Sequence, residues 1–299
     1  MAWPLVFSAV FLWGSNFHAI TALNGGPEPL SAATFRFLLA AGILLCLRLF
    51  QRNQTLQLTL NQQIKLVILG SIGVFTFNAA MFVGLTMTSA LNGALIMGSS
   101  PAVGLILSRL LLGSPIRKMQ IVGLLTGFLG IFLVVTQGNI TQITVSPGDG
   151  FIMLSCLSGC LFTVLAKKWV PDVPAVQLTR WTITSGALLI TLFAMSQENV
   201  WTQAAQLDSR ATLLIVYMAV AGTVIAYFSW LQGNQLLGPQ KTSLAFNLVP
   251  VCTLLIAIFL GQTPEAIQLA GMATVLIGML LATLTGQRKA DVKPAPMDF

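Results

Sequence analysis

The groups able to do chemistry in this sequence are few, and they sit inside apolar runs. The stretch FLWGSNFHAI at 11–20 holds Trp13, Asn16 and His18, the only histidine of the chain. Each residue of a helix turns about 100°, which sets Asn16 and His18 about 200° apart. One unbroken helix therefore cannot aim both into one pocket. Trp13, Asn16, Phe17 and Ile20 share one face; Gly14, Ser15, His18 and Ala22 share another. Asn16 beside Trp13 is the stronger candidate for a solute site. His18 stands between a packing role and a coupling role in proton transfer.

Further candidates for holding a solute are Asn78 and Met81, Ser99 and Ser100, Tyr227 and Trp230, and Phe246 and Asn247. Amides, hydroxyls and rings in this mixture suit a small amphipathic molecule held by apolar walls and a few hydrogen bonds. Aromatics at helical spacing also serve as packing or as an interfacial belt, and that reading stands beside the first. Arg36 and Arg180 each follow an acid, Glu28 and Asp172, by eight residues. They are expected to be structural or gating groups. No Asp or Glu lies well inside an apolar run, which argues against a carboxylate relay and against a site that neutralises a cation.

The same inventory narrows the function classes. One histidine without a buried acid makes no constellation for an intramembrane enzyme. No catalytic residue, metal site or cofactor is expected. Cys46, Cys156, Cys160 and Cys252 fall in apolar runs and read as small packing residues. No P-loop pattern is present, so ATP drive would need another subunit. The positive charges lie between apolar runs rather than on one soluble face, so nucleic acid is not an expected partner.

The elements that must position these groups follow from composition. Of 299 residues, 56% are hydrophobic and 8% charged, with a mean hydropathy of +0.85. A soluble domain carries about a quarter charged residues. Runs of about 20 apolar residues predict helices that span a bilayer. They cover 3–23, 30–50, 64–84, 90–111, 118–137, 149–169, 175–195, 210–233, 240–260 and 266–286. The fold class is an all-α polytopic membrane protein with ten transmembrane helices and the lipid bilayer as its partner. The first run lacks a basic lead-in and a small-residue cleavage site, so it is expected to remain as a helix. Residues 289–299 read as a polar cytoplasmic tail.

Basic residues alternate between connections. Arg48, Arg52 and Lys65 flank one; Arg109, Arg117 and Lys118 the next; then Lys167 and Lys168, Lys241, and finally Arg288, Lys289 and Lys293. The other connections carry Glu28, Asp149, Glu198, Asp208 and Glu265, with Arg210 the exception. The positive-inside rule then puts both termini in the cytoplasm, which requires an even number of spans.

The chain also repeats itself. With an offset of 144, Pro27, Glu28, Arg36 and Gly42 match Pro171, Asp172, Arg180 and Gly186. With 149, Gly73, Gly84 and Pro101 match Gly222, Gly233 and Pro250; with 148, Gln120, Gly123 and Gly130 match Gln268, Gly271 and Gly278. The expected units are 1–138 and 139–288. Five helices is an odd number, so the second unit enters from the opposite face, giving an inverted repeat. Pro101 and Pro250 are expected to break the fourth and ninth helices, freeing the carbonyls of Met97 and Phe246. The glycines of helices five and ten read as packing surfaces, with a monomer favoured over a homodimer. At offset 144, Trp13, Gly14, Asn16 and His18 meet Leu157, Ser158, Cys160 and Phe162. The second unit thus lacks the indole, the amide and the imidazole.

These features together resemble the drug/metabolite transporter superfamily, and within it the EamA-type ten-helix permeases. The likeness rests on WGSNF at 13–17, the proline and Arg36 entering helix two, ALNGALIMGSSP at 90–101, and the paired glycine patterns of helices five and ten. It covers 3–137 and 149–286. The resemblance implies a secondary transporter of the bacterial inner membrane that exports amino acids or similar small metabolites, as in the YddG-like branch. Efflux of drugs or quaternary amines is the alternative, with a non-transporting scaffold or an intramembrane enzyme behind it. Family members often carry a glutamate after the glycine that closes helix four or nine. Here Gly113-Ser114 and Gly261-Gln262 stand there, so no role of that acid carries over.

Overall fold

The computed structural model describes residues 2–23, 26–50, 57–139, 141, 143 and 145–284. Arg52 and the tail with Lys289 and Lys293 lie outside the described residues, as does Arg288. Ten helices are long and apolar enough to cross a membrane. They are α1 (Ala2–Ala22), α2 (Pro29–Leu49), α3 (Leu60–Met87), α4 (Leu91–Leu112), α5 (Lys118–Thr136), α6 (Pro147–Trp169), α7 (Ala175–Gln197), α8 (Ser209–Leu237), α9 (Pro239–Phe259) and α10 (Ala266–Thr283). A short helix, Val200–Ala205, lies between α7 and α8.

Local chemistry sets where these helices begin. Thr59 and Gln62 close a capping box on α3, and Ser146 with Asp149 does so on α6. Asp208 caps α8 by accepting from Ala211 N at 2.6 Å. The start of α2 is capped from a distance: Glu198 accepts from Leu30 N and Ser31 N at 3.1 and 2.7 Å. A carboxylate there meets the positive end of the helix dipole and its unpaired N–H groups.

α3 and α8 run to 28 and 29 residues, longer than the periodicity predicted. Each contains a π-helical turn, Ser71–Thr76 and Val220–Ile225. Threonine hydroxyls support the wider spacing: Thr76 Oγ1 donates to Ser71 O at 2.9 Å and Thr223 Oγ1 to Met218 O at 3.0 Å, both five residues back. α4 breaks at Ser99 and α9 at Asn247, just ahead of Pro101 and Pro250. At the first break Ser99 N and Oγ both donate to Ile96 O, at 3.0 and 2.6 Å. The local serine thus serves the carbonyl one residue before the expected Met97.

The two halves make the same contacts with inverted roles. A Cβ on Gly84 would meet Ile152, and one on Gly233 would meet Val6. Gly73 is covered by Phe162, and Gly222 by Asn16. Gly14 packs on Val249 and Cys252, while Cys160 donates to Ser100 O at 3.3 Å. All three pairs of contacts relate α1 to α6 by 146 residues and the glycine-bearing or broken helices by 149. The offset of 144 expected for α1 is therefore corrected to 146. Matched positions of α6 and α7 are two residues closer in sequence than those of α1 and α2, so the register of α2 and α7 does not carry back. Trp13, Gly14, Asn16 and His18 correspond to Gly159, Cys160, Phe162 and Val164.

α5 and α10 cross on the repeat axis itself. A Cβ on Gly123 would strike Gly278 O, and one on Gly271 would lie 2.7 Å from Gly130 O. An offset of 148 turns each contact into the other. These small residues face one another within the chain. The two largest buried clusters among the described residues lie around Phe37, Leu66, Ile183 and Leu231 and around Val6, Ile131, Val249 and Val275. Outside them lies an apolar shell, with Leu110, Leu125, Leu192, Leu213 and Phe259 exposed, as a lipid-facing surface requires.

Candidate functional site

The π turn of α8 forms the centre. Such a turn widens the helix and leaves carbonyls free of their usual partners. Gly222 O accepts from two side chains at once, Trp13 Nε1 and Arg36 Nη2, each at 3.2 Å. Arg36 Nε also donates to Thr223 Oγ1 at 2.7 Å. Only glycine fits this point, because a Cβ would collide with the Asn16 amide. Asn16 is buried, and its Oδ1 accepts no hydrogen bond. Three helices, α1, α2 and α8, thus bring Trp13, Asn16 and Arg36 to one backbone group.

Aromatic rings extend this centre on one side. Trp13 touches Tyr227, Trp230 and Phe246, with ring centroids 5.8, 5.1 and 5.8 Å away. Trp230 and Phe246 meet edge-on at 5.9 Å. The edge-to-face geometry at Tyr227 and between the last two follows ring quadrupoles. The Tyr227 hydroxyl faces the Asn78 side chain, which also donates to Val74 O at 2.7 Å. Met81 is half-buried about one turn along α3 from Asn78.

Other expected residues sit apart from this cluster. His18 Nε2 is 2.9 Å from Thr253 O, so it binds α1 to α9. Asn16 meets α8 instead, in line with the two faces read from the helix. Phe17 and Ile20, grouped with Asn16 by periodicity, are exposed. Ser99, Ser100 and Asn247 lie at the two helix breaks. Ser100 Oγ and Asn247 Oδ1 are buried without partners, and the Asn247 amide lies against Gly127. Arg180 is buried on α7 and has Arg48 as its charged neighbour, so the two repeat arginines have different surroundings. Asn92 reaches Asp149 at 3.3 Å near the ends of their helices.

The two ends of the bundle differ. At the end bearing Lys167, Lys241 and Arg109, the segment Ser100–Leu112 packs on Pro239–Phe246. A Cβ on Gly104 there would strike Ser243. Asn234 Nδ2 donates to Thr163 O at 2.8 Å, Thr242 Oγ1 to Asn234 Oδ1 at 3.2 Å, and Gln235 Nε2 to Val173 O at 2.7 Å. Lys167 Nζ donates to Gln235 O at 2.5 Å. The repeat counterparts of Thr163, Lys167, Asn234, Gln235 and Ser243 are Phe17, Thr21, Leu85, Thr86 and Ala94, and all five are exposed. Among the described residues no comparable seam joins Ala90–Gly98 to Leu248–Phe259. A cavity of about 440 Å³ opens near that second end, lined in part by Leu23, Glu28, Asp208 and Arg210.

A ten-helix inverted repeat with broken central helices and a polar, aromatic centre is the architecture of a membrane transporter. Comparison with known families agrees. The model of the EamA-like transporter family matches residues 1–136 and again 146–284, and the chain belongs to that family, within the drug/metabolite transporter superfamily. YyaM of Bacillus subtilis, an uncharacterized transporter, is 34% identical over 276 residues, 90% of this chain and 89% of that one. Protein PecM of Dickeya dadantii is 29% identical over 296 residues, 96% and 95% of the two chains. A solved crystal structure shares the fold, with a TM-score of 0.81 over 96% of this chain and 98% of the other at 19% identity.

Proposed function

We propose that this transporter exports amino acids or similar small amphipathic metabolites by alternating access of residues 1–138 against residues 139–288. The observation that carries the reading is the broken symmetry of the two ends. A duplicated fold has no need to treat its ends differently. Here one end is sealed by Gly104 on Ser243 and by the Thr163–Asn234–Thr242 network, while Phe17, Leu85 and Ala94, the counterparts of Thr163, Asn234 and Ser243, stand exposed at the other end. Exchange of the two arrangements between the repeats would close the open end and open the sealed one. Ala94 would then meet Thr253, as Ser243 meets Gly104 now.

The Lys- and Arg-rich connections support a reading in which the sealed end faces the cytoplasm of a bacterial inner membrane. Both termini then lie inside, and the present arrangement faces outward. The solute would occupy the centre between Trp13, Asn16, Tyr227 and Trp230, where apolar rings adjoin a few hydrogen-bonding groups. Asn78, Met81, Ser99, Ser100, Phe246 and Asn247 line the path around the helix breaks. Among the described residues no carboxylate sits at this depth to act as a relay, which favours facilitation or exchange over ion coupling. The four rings also suit a quaternary amine, but the Arg36 guanidinium beside Trp13 and Tyr227 opposes a cationic guest.

Efflux from proteoliposomes loaded with radiolabelled amino acids tests the reading. The expected result is efflux above protein-free vesicles for at least one amino acid, lost in Trp13→Ala. Rates equal to empty vesicles for every amino acid tried would overturn it.

A further inference from the structure

We infer that the central site selects solutes carrying a carboxylate, and that Arg36 is the residue that receives it. This rests on the central site proposed above and names the chemistry of its guest.

A guanidinium at membrane depth is costly unless a counter-charge or a full set of acceptors accompanies it. Among the described residues no acid stands well inside a span: Asp149 is committed to Thr88 and Ser146, Glu198 to the start of α2 and Asp208 to the start of α8, while Glu28, Asp172 and Glu265 lie in connections. The polar groups that surround Arg36 are neutral. They are Gly222 O, Thr223 Oγ1 and the Tyr227 hydroxyl. The charge of Arg36 is left without a counter-ion from the protein.

The geometry leaves donors to spare. A guanidinium has five N–H groups. One on Nε and one on Nη2 are used, on Thr223 and Gly222. These two bonds hold the plane in place, and about three N–H groups remain, enough for a paired contact with a carboxylate. Phe37 lies against the cation, 5.0 Å from Cζ to ring centroid. Beside it, Asn16 Oδ1 is a buried acceptor with no donor. Receiving an N–H or O–H of the guest would satisfy it. Trp13 shares the Gly222 carbonyl with Arg36 and touches the rings of Tyr227, Trp230 and Phe246, a group that would cover an apolar side chain. A carboxylate, a neighbouring donor and an apolar group on one small molecule match these three features together.

The repeat sharpens this. Arg180, the counterpart of Arg36, has Arg48 beside it, and Phe162 stands where Asn16 would be. The second half therefore offers no equivalent site, and one guest per chain is expected.

Matched acids and amides test the inference. Purified full-length protein is titrated with phenylalanine, leucine and 3-phenylpropionate, each against its primary amide, following tryptophan fluorescence. The result expected is that each acid binds at least about tenfold tighter than its amide, the scale of a charge-assisted pair. Arg36→Gln should erase that preference, and Arg36→Lys should keep part of it. Equal affinity for acid and amide in the unaltered protein would overturn the inference, as would a preference that survives Arg36→Gln. Because the first comparison uses no variant, a folding defect in Arg36→Gln cannot hide the answer. Tight binding of amides without acid preference would sink the carboxylate assignment alone. Binding of none of the six would sink the proposed solute class with it.

Discussion

The indole of Trp13 and the guanidinium of Arg36 donate to one acceptor, the carbonyl of Gly222, each at 3.2 Å. Two helices of the first repeat are thereby pinned to a π turn of the second. The turn supplies the free carbonyl, and glycine supplies the space. In the proposed site, solute contact and the packing between the repeats would depend on the same two side chains.

Gly222→Ala is expected to damage both roles. Its Cβ would collide with the Asn16 amide, an overpacking cost of about 1–3 kcal/mol. Gly73→Ala would drive a Cβ into the Phe162 ring and cost a similar amount. Thermal unfolding should fall in both variants. Ligand titration should separate them: affinity collapses in Gly222→Ala and persists in Gly73→Ala. Equal retention of affinity would place the solute elsewhere.

Trp13 separates ring contact from hydrogen bonding. Trp13→Ala removes three ring contacts of a partly buried indole and should destabilise by about 2–3 kcal/mol, below the range for deleting a fully buried ring. Trp13→Phe keeps a ring and loses the bond to Gly222, worth about 1 kcal/mol. Fluorescence-detected binding should be abolished in the first and weakened in the second. The order of the two variants is the check.

His18 is expected to be dispensable for coupling. Its Nε2 is spent on Thr253 O at 2.9 Å. His18→Gln can reach the same carbonyl with an amide N–H. Efflux by this variant should match the unaltered protein with and without a proton gradient. A gradient dependence present before the substitution and absent after it would assign proton coupling to His18.

The α5–α10 crossing should tolerate nothing larger than glycine. A Cβ on Gly130 would lie 2.6 Å from Gly271 O, so Gly130→Val should fail to give folded, monodisperse protein. Gly42 has open space around it, and Gly42→Ala should instead stabilise α2 by about 0.5–1 kcal/mol through helix propensity. Size-exclusion profiles and melting temperatures check both.

Much of this was legible in the sequence because bilayer physics is restrictive. Ten apolar runs of one length, charges that alternate between connections and prolines at matched positions leave little freedom for topology. The two faces of the first helix were also readable, and Asn16 and His18 do meet different neighbours. What periodicity could not supply was the register between halves. Matched positions of α6 and α7 are two residues closer in sequence than those of α1 and α2, which replaces Cys160 with Phe162 as the partner position of Asn16. The π turns were equally hidden, since they follow from carbonyl geometry and leave no change in hydropathy. The matched pair Gly73 and Gly222 was their one trace in the sequence. The contacts of Arg36 depend on the Gly222 turn, so its place beside Trp13 could not be read from the position of α2 alone.

Exchange of the two ends is tested most directly by cysteine pairs. In a background with Cys46, Cys156, Cys160 and Cys252 replaced, one variant carries Gly104→Cys with Ser243→Cys and a second carries Ala94→Cys with Thr253→Cys. Disulfides form only where Cα atoms come within about 7 Å. Both pairs are predicted to cross-link in membranes, each arresting transport until a reductant restores it. Transport that continues with the first pair locked, or a second pair that never cross-links while transport runs, would contradict alternating access by these repeats.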